Sequence, residues 1–537
     1  MAGPTAASGF TEAEAAAIAP YFTNLDRPVF ALINLPETVK GALFARYSRS
    51  PKSLRRLFLD EFRDDVKGAA AASTGQAGAG RAERLYQRVL SEFGDDSVAQ
   101  LGGVHLAVED ASNVLTKVLE RGRLMAYLEQ STRYIPYTER RGDRWRYLVP
   151  AEIDDPALKD RYVRVLNGAF ETYARWIDPM RAWFEARYPR ATGDSEGVYR
   201  SAIRAKALDT LRGLLPAATQ SNVGLYGTGQ AYEALLLRMR AHRLREVRDT
   251  ADLMLAELRQ VIPAFLARVD APDRGGRWSA YLADTRDRLE GIATRLARAD
   301  GADGGARAEV TLTDFDPDGE IKVVAAALYT VTALPDDALL ALARRMTPAE
   351  RADVLRACVG ERGNRRHKPG RAFERTSYRF DVLTDYGAFR DLQRHRMLTI
   401  DWQALSPHHG YVQPEALVDA GGDADWRRVM EESAALYEAM TDAGLAAAAP
   451  YAVAMAYRVR FVMDMNAREA MHVIELRTSP QGHPAYRRVC QQMHRLIADV
   501  AGHHAIADAM RFTDHSVVEL ERLQEERRLE AKRQARS

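Results

Sequence analysis

The sequence predicts an α+β fold, helix-rich overall, in which one strand-and-helix unit occurs twice in tandem. Three observations predict it. Two stretches each run through a strand, a helix, Arg-x-Arg, an irregular loop, further helices and then Leu-Arg before a polar helix. At 537 residues the chain is too long for one ordinary core. Between the two stretches Gly301, Gly304 and Gly305 lie among small and charged residues, as a boundary would.

Composition narrows the chemistry. The 76 basic and 74 acidic residues leave a net charge of +2, which gives no footprint of a dedicated nucleic-acid binder and favours small ligands or protein partners. Any anion site must therefore be local. Cys358 and Cys490 are far apart and lack metal-ligand spacing, so no zinc site or disulfide framework is expected, and a reducing cytoplasm fits. Met1 to Tyr21 reads as a loop and an alanine-rich helix rather than a leader. The longest apolar stretch, Leu445 to Tyr457, is interrupted by Pro450 and too short for a bilayer, so no membrane partner is expected.

In chain order, Thr23 to Phe62 predicts short helices punctuated by Pro28, Pro36 and Pro51. Gly68 to Gly80 reads as a linker without the ending of a phosphate-cradling loop. Val104 to Val108 predicts a strand, and Val114, Leu115, Val118 and Leu119 a helix ending near Arg121-Gly122-Arg123. In the stretch Tyr127 to Tyr134, Glu129, Ser131 and Arg133 alternate and would share one face if extended, grouping an acceptor, a hydroxyl and a guanidinium as a nucleotide grip would; a polar loop face is the other reading. Asp209 to Arg248 reads as two helices separated near Gly224 to Gly229, and Arg248 to Arg268 continues helically. Arg298 to Ala308 is the expected boundary.

Glu309 to Tyr329 predicts a hairpin around Asp316-Pro317-Asp318-Gly319. Thr347, Pro348 and Glu350 open a helix that Gly360 suits as an end. Tyr378 to Val382 alternates like a strand, and Thr384 can cap a helix carrying Tyr386, Phe389 and Leu392. Arg394-His395-Arg396 follows at the end of that rigid element. Two guanidinium forks around an imidazole suit a phosphate or a flavin ring system, although such a triplet alone is also an ordinary solvated cluster. A helix from Asp425 to about Gly444 comes next, and His483-Pro484 opens another whose Val489, Met493 and Leu496 face inward. The tail from Val517 reads as a solvated helix.

These motifs resemble the flavin-dependent thymidylate synthases, whose signature is Arg-His-Arg-x-x-Ser-x-Asn-Glu-x-Ser-x-Arg-Tyr. The resemblance covers most of residues 90 to 255 and 365 to 500 as two diverged copies. It implies that each copy is a central sheet with packed helices. The first copy keeps Glu129-x-Ser131-x-Arg133-Tyr134, which resembles the substrate-gripping segment, but has Gly122 in place of the flavin-contacting histidine. The second keeps Arg394-His395-Arg396 and loses the grip, with Trp402, Ala404, Ser406 and Pro407 at those positions. Asn466, Arg468 and His472 resemble flavin-binding residues, where the first copy has Gly227 and Gly229 for the Asn and Arg. Arg238 and Arg477 resemble the catalytic arginine that contacts the nucleotide, and Arg212 another substrate contact. The upstream flavin motif is poor in both copies: Gly94-Asp95-Asp96-Ser97 lacks its histidine, and the second has a loose match through His367 and Glu374.

The resemblance implies a domain plan of a helical extension and linker (1–80), a first copy (81–297), a linker (298–308), a second copy (309–510) and a charged terminal helix (511–537). An insertion within Thr138 to Gly213 makes the first copy longer. The implied activity is reductive methylation of dUMP to dTMP with FAD as cofactor and NADPH and methylenetetrahydrofolate as co-substrates. The implied site is composite, with the second copy holding flavin and the first closing on substrate. Because four cores make the family's tetramer, a homodimer forming a pseudotetramer is expected. A flavoenzyme of the same fold acting on another nucleotide or heterocycle, and a non-catalytic flavin- or nucleotide-binding scaffold, are the other readings.

Overall fold

A computed structural model describes residues 10–47, 50–63, 66, 100–133, 135–300, 307–518, 520 and 522–534. Three short helices open it: α1 (Glu12–Ile18), α2 (Glu37–Tyr47) and α3 (Leu54–Glu61). Thr11 and Glu14 form a reciprocal capping box on α1. The expected linker Gly68 to Gly80, the Gly94 to Ser97 motif and Tyr134 lie outside the described residues.

The first copy runs β1 (Gly103–Ser112), α4 (Asn113–Leu119), β2 (Met125–Glu129), a small hairpin of β3 (Arg140–Arg141) and β4 (Arg144–Trp145), then α5 (Pro156–Arg187) and α6 (Glu196–Leu211). It ends with β5 (Gln220–Thr228), α7 (Gly229–Arg240), α8 (Arg245–Val261) and α9 (Gly275–Asp300). The second copy begins with β6 (Val310–Phe315), α10 (Gly319–Tyr329), α11 (Asp336–Arg345), α12 (Pro348–Val359), β7 (Ser377–Asp385), α13 (Tyr386–Leu392) and β8 (Thr399–Trp402). It continues through α14 (Glu415–Asp419), α15 (Asp423–Asp442), β9 (Arg458–Asn466), α16 (Ala467–Arg477), α17 (Pro484–Asp499), α18 (His504–Ala509) and α19 (Leu523–Gln534).

The sheets carry the repeat. One is ordered β1-β5-β2 and the other β6-β7-β9-β8, so β7, β9 and β8 repeat the arrangement of β1, β5 and β2, with β6 added at an edge. Tyr378, Phe380 and Val382 of β7 are buried, as are Val459, Phe461, Met463 and Met465 of β9, and their strand neighbours are less so. A strand with one face in the core requires that alternation. Phe389 of α13 seals this face, its ring centroid 5.0 Å from Phe461 and 5.4 Å from Trp402.

Packing divides the chain into two compact units. One comprises Met1–Glu109, Gly122–Glu129 and Asn222–Ala302; the other comprises Asp110–Arg121, Gln130–Ser221 and Asp303–Ser537. The second unit therefore contains chain from both copies. Inside it Pro216 and Ala454, each four residues before β5 or β9, form an antiparallel bridge. Ala217 N donates to Val453 O at 2.8 Å, and Met455 N donates to Leu215 O at 2.9 Å. Like positions pairing with each other mark a local two-fold axis. Matching bonds also recur within each copy: Asn113 N to Thr219 O and Tyr386 N to Tyr457 O, both 3.0 Å.

Several expectations are corrected. The Glu309 to Tyr329 hairpin is a strand followed by a helix: β6 pairs with β7, and the run after Gly319 coils, with three alanines following its β-branched residues and Val323, Val324 and Ala325 buried. Between Asp209 and Arg248 the two helices are separated by β5, whose Ser221, Val223, Leu225 and Gly227 alternate inward. Asp385, rather than Thr384, caps α13 by accepting from Ala388 N at 2.9 Å. On α17 Ile497 is buried and Leu496 only partly so, and α9 continues through Asp300 into the expected linker. The terminal helix is docked, with Arg527 Nη2 donating to Asp194 at 2.8 Å. The capping box of Thr347 and Glu350, and Gly360 with φ of 63° at the helix end, are as expected.

Candidate functional site

Asp391 lies on the last turn of α13, and Arg394, His395 and Arg396 follow it as half-buried, buried and exposed side chains. Arg477 Nη1 is 3.6 Å from one Asp391 oxygen and Arg212 Nη1 is 3.8 Å from the other. Burial alone would raise the Asp391 pKa. The charges of Arg477, Arg394, Arg212 and Arg133 outweigh burial and hold this carboxyl below its usual range.

Arg133 is anchored separately. Its Nε and Nη2 donate to Asp209 at 2.8 and 2.7 Å, and its Nη1 lies 3.4 Å from the Tyr486 hydroxyl. Desolvation opposes its charge, but Asp209 more than compensates and the guanidinium stays firmly protonated. The Tyr486 ring also lies 5.4 Å from the Arg477 guanidinium carbon. Thus four guanidinium groups, two from each copy, surround two carboxylates. A cavity of about 410 Å³ opens beside them, with Arg212, Asp209, Lys206, Asp385 and His483 in its lining.

A second cluster adjoins Arg477. Its Nε donates to His395 Nε2 at 2.9 Å, His395 Nδ1 is 3.7 Å from Glu469 Oε1, and the His395 and His472 ring centroids are 5.4 Å apart. Burial, with Arg477 next to it, keeps His395 well below an ordinary histidine pKa; burial likewise lowers His472 to about 4. Burial raises Glu469 to about 7 against the opposing charges of Lys368 and Arg468. Asn466 caps α16 by accepting from Glu469 N at 2.9 Å, which fixes the turn carrying Arg468 and Glu469. Arg468 donates to Pro369 O at 2.9 Å and to Glu374 at 3.5 Å.

The expected substrate strand is not continuous. β2 ends at Glu129, which is buried, and the chain turns so that the Ser131 hydroxyl accepts from Arg133 N at 3.3 Å; Glu129, Ser131 and Arg133 therefore do not share one strand face. Glu129 and Arg238 belong to the first unit. There Tyr127 donates its hydroxyl to Gly122 O at 2.8 Å, and a Cβ at Gly122 would stand 2.7 Å from that hydroxyl. A side chain at this position requires the Tyr127 hydroxyl to move. In the second unit Arg121, the counterpart of Arg394, donates to Asp401 at 2.5 Å and lies 5.2 Å from the Trp402 ring centroid.

The profile of thymidylate synthase complementing proteins matches residues 44–264 and 311–502. The chain belongs to the flavin-dependent thymidylate synthase family. A UPF0159 protein of Chlamydia muridarum is 36% identical over 527 residues, covering 97% of this chain and 99% of the relative. A UPF0159 protein of Thermoplasma acidophilum is 30% identical over 523 residues, covering 92% and 99%. A flavin-dependent thymidylate synthase of Clostridium tetani is 27% identical over 180 residues, covering 33% of this chain and 67% of the relative. The doubled length is thus shared with the first two relatives, while this flavin-dependent thymidylate synthase family member from Clostridium aligns with about a third of the chain.

Sequence reasoning placed Arg133, Arg212, Arg394 and Arg477 without the carboxylates that organise them. Asp391 stood within the Arg-His-Arg stretch, where a charge next to three others was the available signal. Asp209, Tyr486 and Glu469 carried none: the first two meet Arg133 through tertiary folding, and Glu469 looks like a first-turn capping acid.

Proposed function

We propose that the chain is a flavin-dependent thymidylate synthase with one composite site, methylating dUMP to dTMP with methylenetetrahydrofolate and NADPH. The observation that carries the reading is the convergence of Arg133 and Arg212 from the first copy with Arg394 and Arg477 from the second on Asp391. The guanidinium groups of Arg133, Arg212, Arg394 and Arg477 outnumber the carboxylates of Asp391 and Asp209 here, and guanidinium forks suit a phosphate monoester dianion. The adjoining cavity is within the size range of small-molecule sites.

The donor sets of the two copies differ in their fit to FAD. Arg394, Arg396 and Arg468 suit its diphosphate and His395 and His472 its ring system, whereas Tyr127 fills the matching space at Gly122. The second copy would hold the cofactor. A bound flavin supplies the hydride chemistry, with NADPH as reductant. Arg133 and Arg212 hold the substrate phosphate, and Arg477 stabilises the negative charge that develops at pyrimidine N3 and its neighbouring carbonyl. Neither cysteine is suited to act as a nucleophile, since burial raises the thiol of Cys358 and lifts that of Cys490 to about 12. Two chains complete the assembly as a pseudotetrameric homodimer.

The test is release of the C5 hydrogen from tritiated dUMP by the full-length protein. Release that requires both methylenetetrahydrofolate and NADPH is expected. A yellow, flavin-loaded protein that releases nothing would move the reading to a flavoenzyme with another substrate, and colourless protein after incubation with FAD would overturn both.

A further inference from the structure

The proposed mechanism uses Arg477 at the substrate and His395 and His472 at the flavin ring, and gives no role to Glu469 beside them. The ligand-type atoms of His395, Glu469 and His472 all lie within 4.8 Å of one another. Such spacing could serve a metal ion or a proton. Arg477 decides between them. A guanidinium nitrogen can only donate, so at 2.9 Å from Arg477 Nε the His395 Nε2 atom must present its lone pair. A neutral imidazole then carries its one proton on Nδ1, the atom 3.7 Å from Glu469 Oε1, an ion-pair contact longer than a hydrogen bond. A cation on Nδ1 would drive that proton to Nε2, against the N–H of Arg477. The cluster is built for a proton.

We infer that Glu469 is a positioning residue whose carboxylate holds His395 in the Nδ1–H tautomer, so that Nε2 accepts from Arg477 and fixes that guanidinium for the substrate. Arg477 is then constrained at three points: Nε by His395, Nη1 by Asp391 at 3.6 Å, and its face by the Tyr486 ring. The same logic orients the imidazole of a catalytic triad, with the acceptor one residue removed from the reacting groups. Glu469 is 8% exposed, and the charged or titratable groups acting on it and on its two histidine neighbours are Lys368, Arg468, Arg365 and Arg477. With its carboxyl raised to about 7, Glu469 acquires the charge that draws the proton to Nδ1 as the pH passes neutrality. The functional consequence rests on Arg477 meeting the nucleotide; the tautomer does not.

The experiment reads the two separately. Full-length protein labelled with ¹⁵N-histidine reports the His395 tautomer at pH 8, assigned by its disappearance in His395→Gln. The Nδ1–H form is expected in the native chain, retained in Glu469→Gln, whose amide carbonyl still turns a negative oxygen toward Nδ1, and lost in Glu469→Ala. In turnover, Glu469→Ala is expected to lower kcat about 10- to 100-fold, and Glu469→Gln to keep most activity while losing the pH limb near 7. A native His395 in the Nε2–H or doubly protonated form would overturn the inference. So would a pH limb that persists in Glu469→Gln. If the tautomers behave as expected and no dTMP forms, the positioning role stands and the assigned reaction falls.

Discussion

Arg133 and Asp209 are joined through two guanidinium nitrogens and both carboxylate oxygens, with side chains only 12% and 9% exposed. The pair connects the turn after β2 to the last turn of α6, and it holds Arg133 toward Asp391 before any ligand arrives. Removing the acid leaves a poorly hydrated cation. Asp209→Asn should cost about 1–3 kcal/mol in urea unfolding. Arg133→Ala should weaken dUMP binding roughly 10- to 100-fold by calorimetry while flavin content is unchanged.

The counterpart position behaves differently. Arg121 is bonded to Asp401, and both side chains are about half exposed at 49% and 57%. An exposed pair contributes little. Asp401→Ala should change turnover by less than about twofold and stability by under about 1 kcal/mol. Arg394→Ala, at the equivalent place in the other copy, should abolish flavin retention as read by absorbance. Equal effects of the two would contradict a division of labour between the copies.

The Glu469 carboxyl gives a pH signature with a definite sign. Its folded pKa of about 7 lies above the ordinary 4.5, so between those values the folded chain binds more protons than the unfolded one. Stability from this group therefore falls as the pH rises from 4.5 to 7. Glu469→Gln lacks the term. The variant should match the native unfolding free energy near pH 5 and exceed it at pH 8, by on the order of 1–3 kcal/mol in urea titrations. A gap that is constant with pH would rule this out.

Arg362 and Glu475 form a bidentate pair at 2.6 Å with both side chains 1% exposed, and Arg362 also donates to Ala509 O at 2.8 Å. This pair ties the segment before β7 to α16, two residues from Arg477. Glu475→Ala strands a buried cation and should destabilise the chain by about 3–5 kcal/mol in chemical denaturation. Flavin-bound protein should show the same loss.

The sequence made parts of this legible because they obey local rules. Tyr378, Phe380 and Val382 alternate, α13 follows with helical spacing, and Arg394 arrives where two packed elements end. The complementary losses at Gly122 and at Trp402 to Pro407 were readable for the same reason, since each copy supplies a template for the other. Local rules failed at α10, where Ile321, Val323 and Val324 favour a strand and burial against the rest of the second copy favours a helix. They failed again at Glu129 to Arg133, where an alternating pattern concealed a turn. Pairings such as Arg133 with Asp209 and His395 with Glu469 join positions remote in the chain, and no periodicity encodes them.

The main-chain bridge at Pro216 and Ala454 has an evolutionary corollary. Because backbone amides of one copy are satisfied by carbonyls of the other, either half standing alone exposes those groups. Under the proposed division, with the grip upstream and the cradle downstream, the fusion acts as a ratchet. Under that division a truncation that spares every site residue of one half removes the proposed activity of the whole.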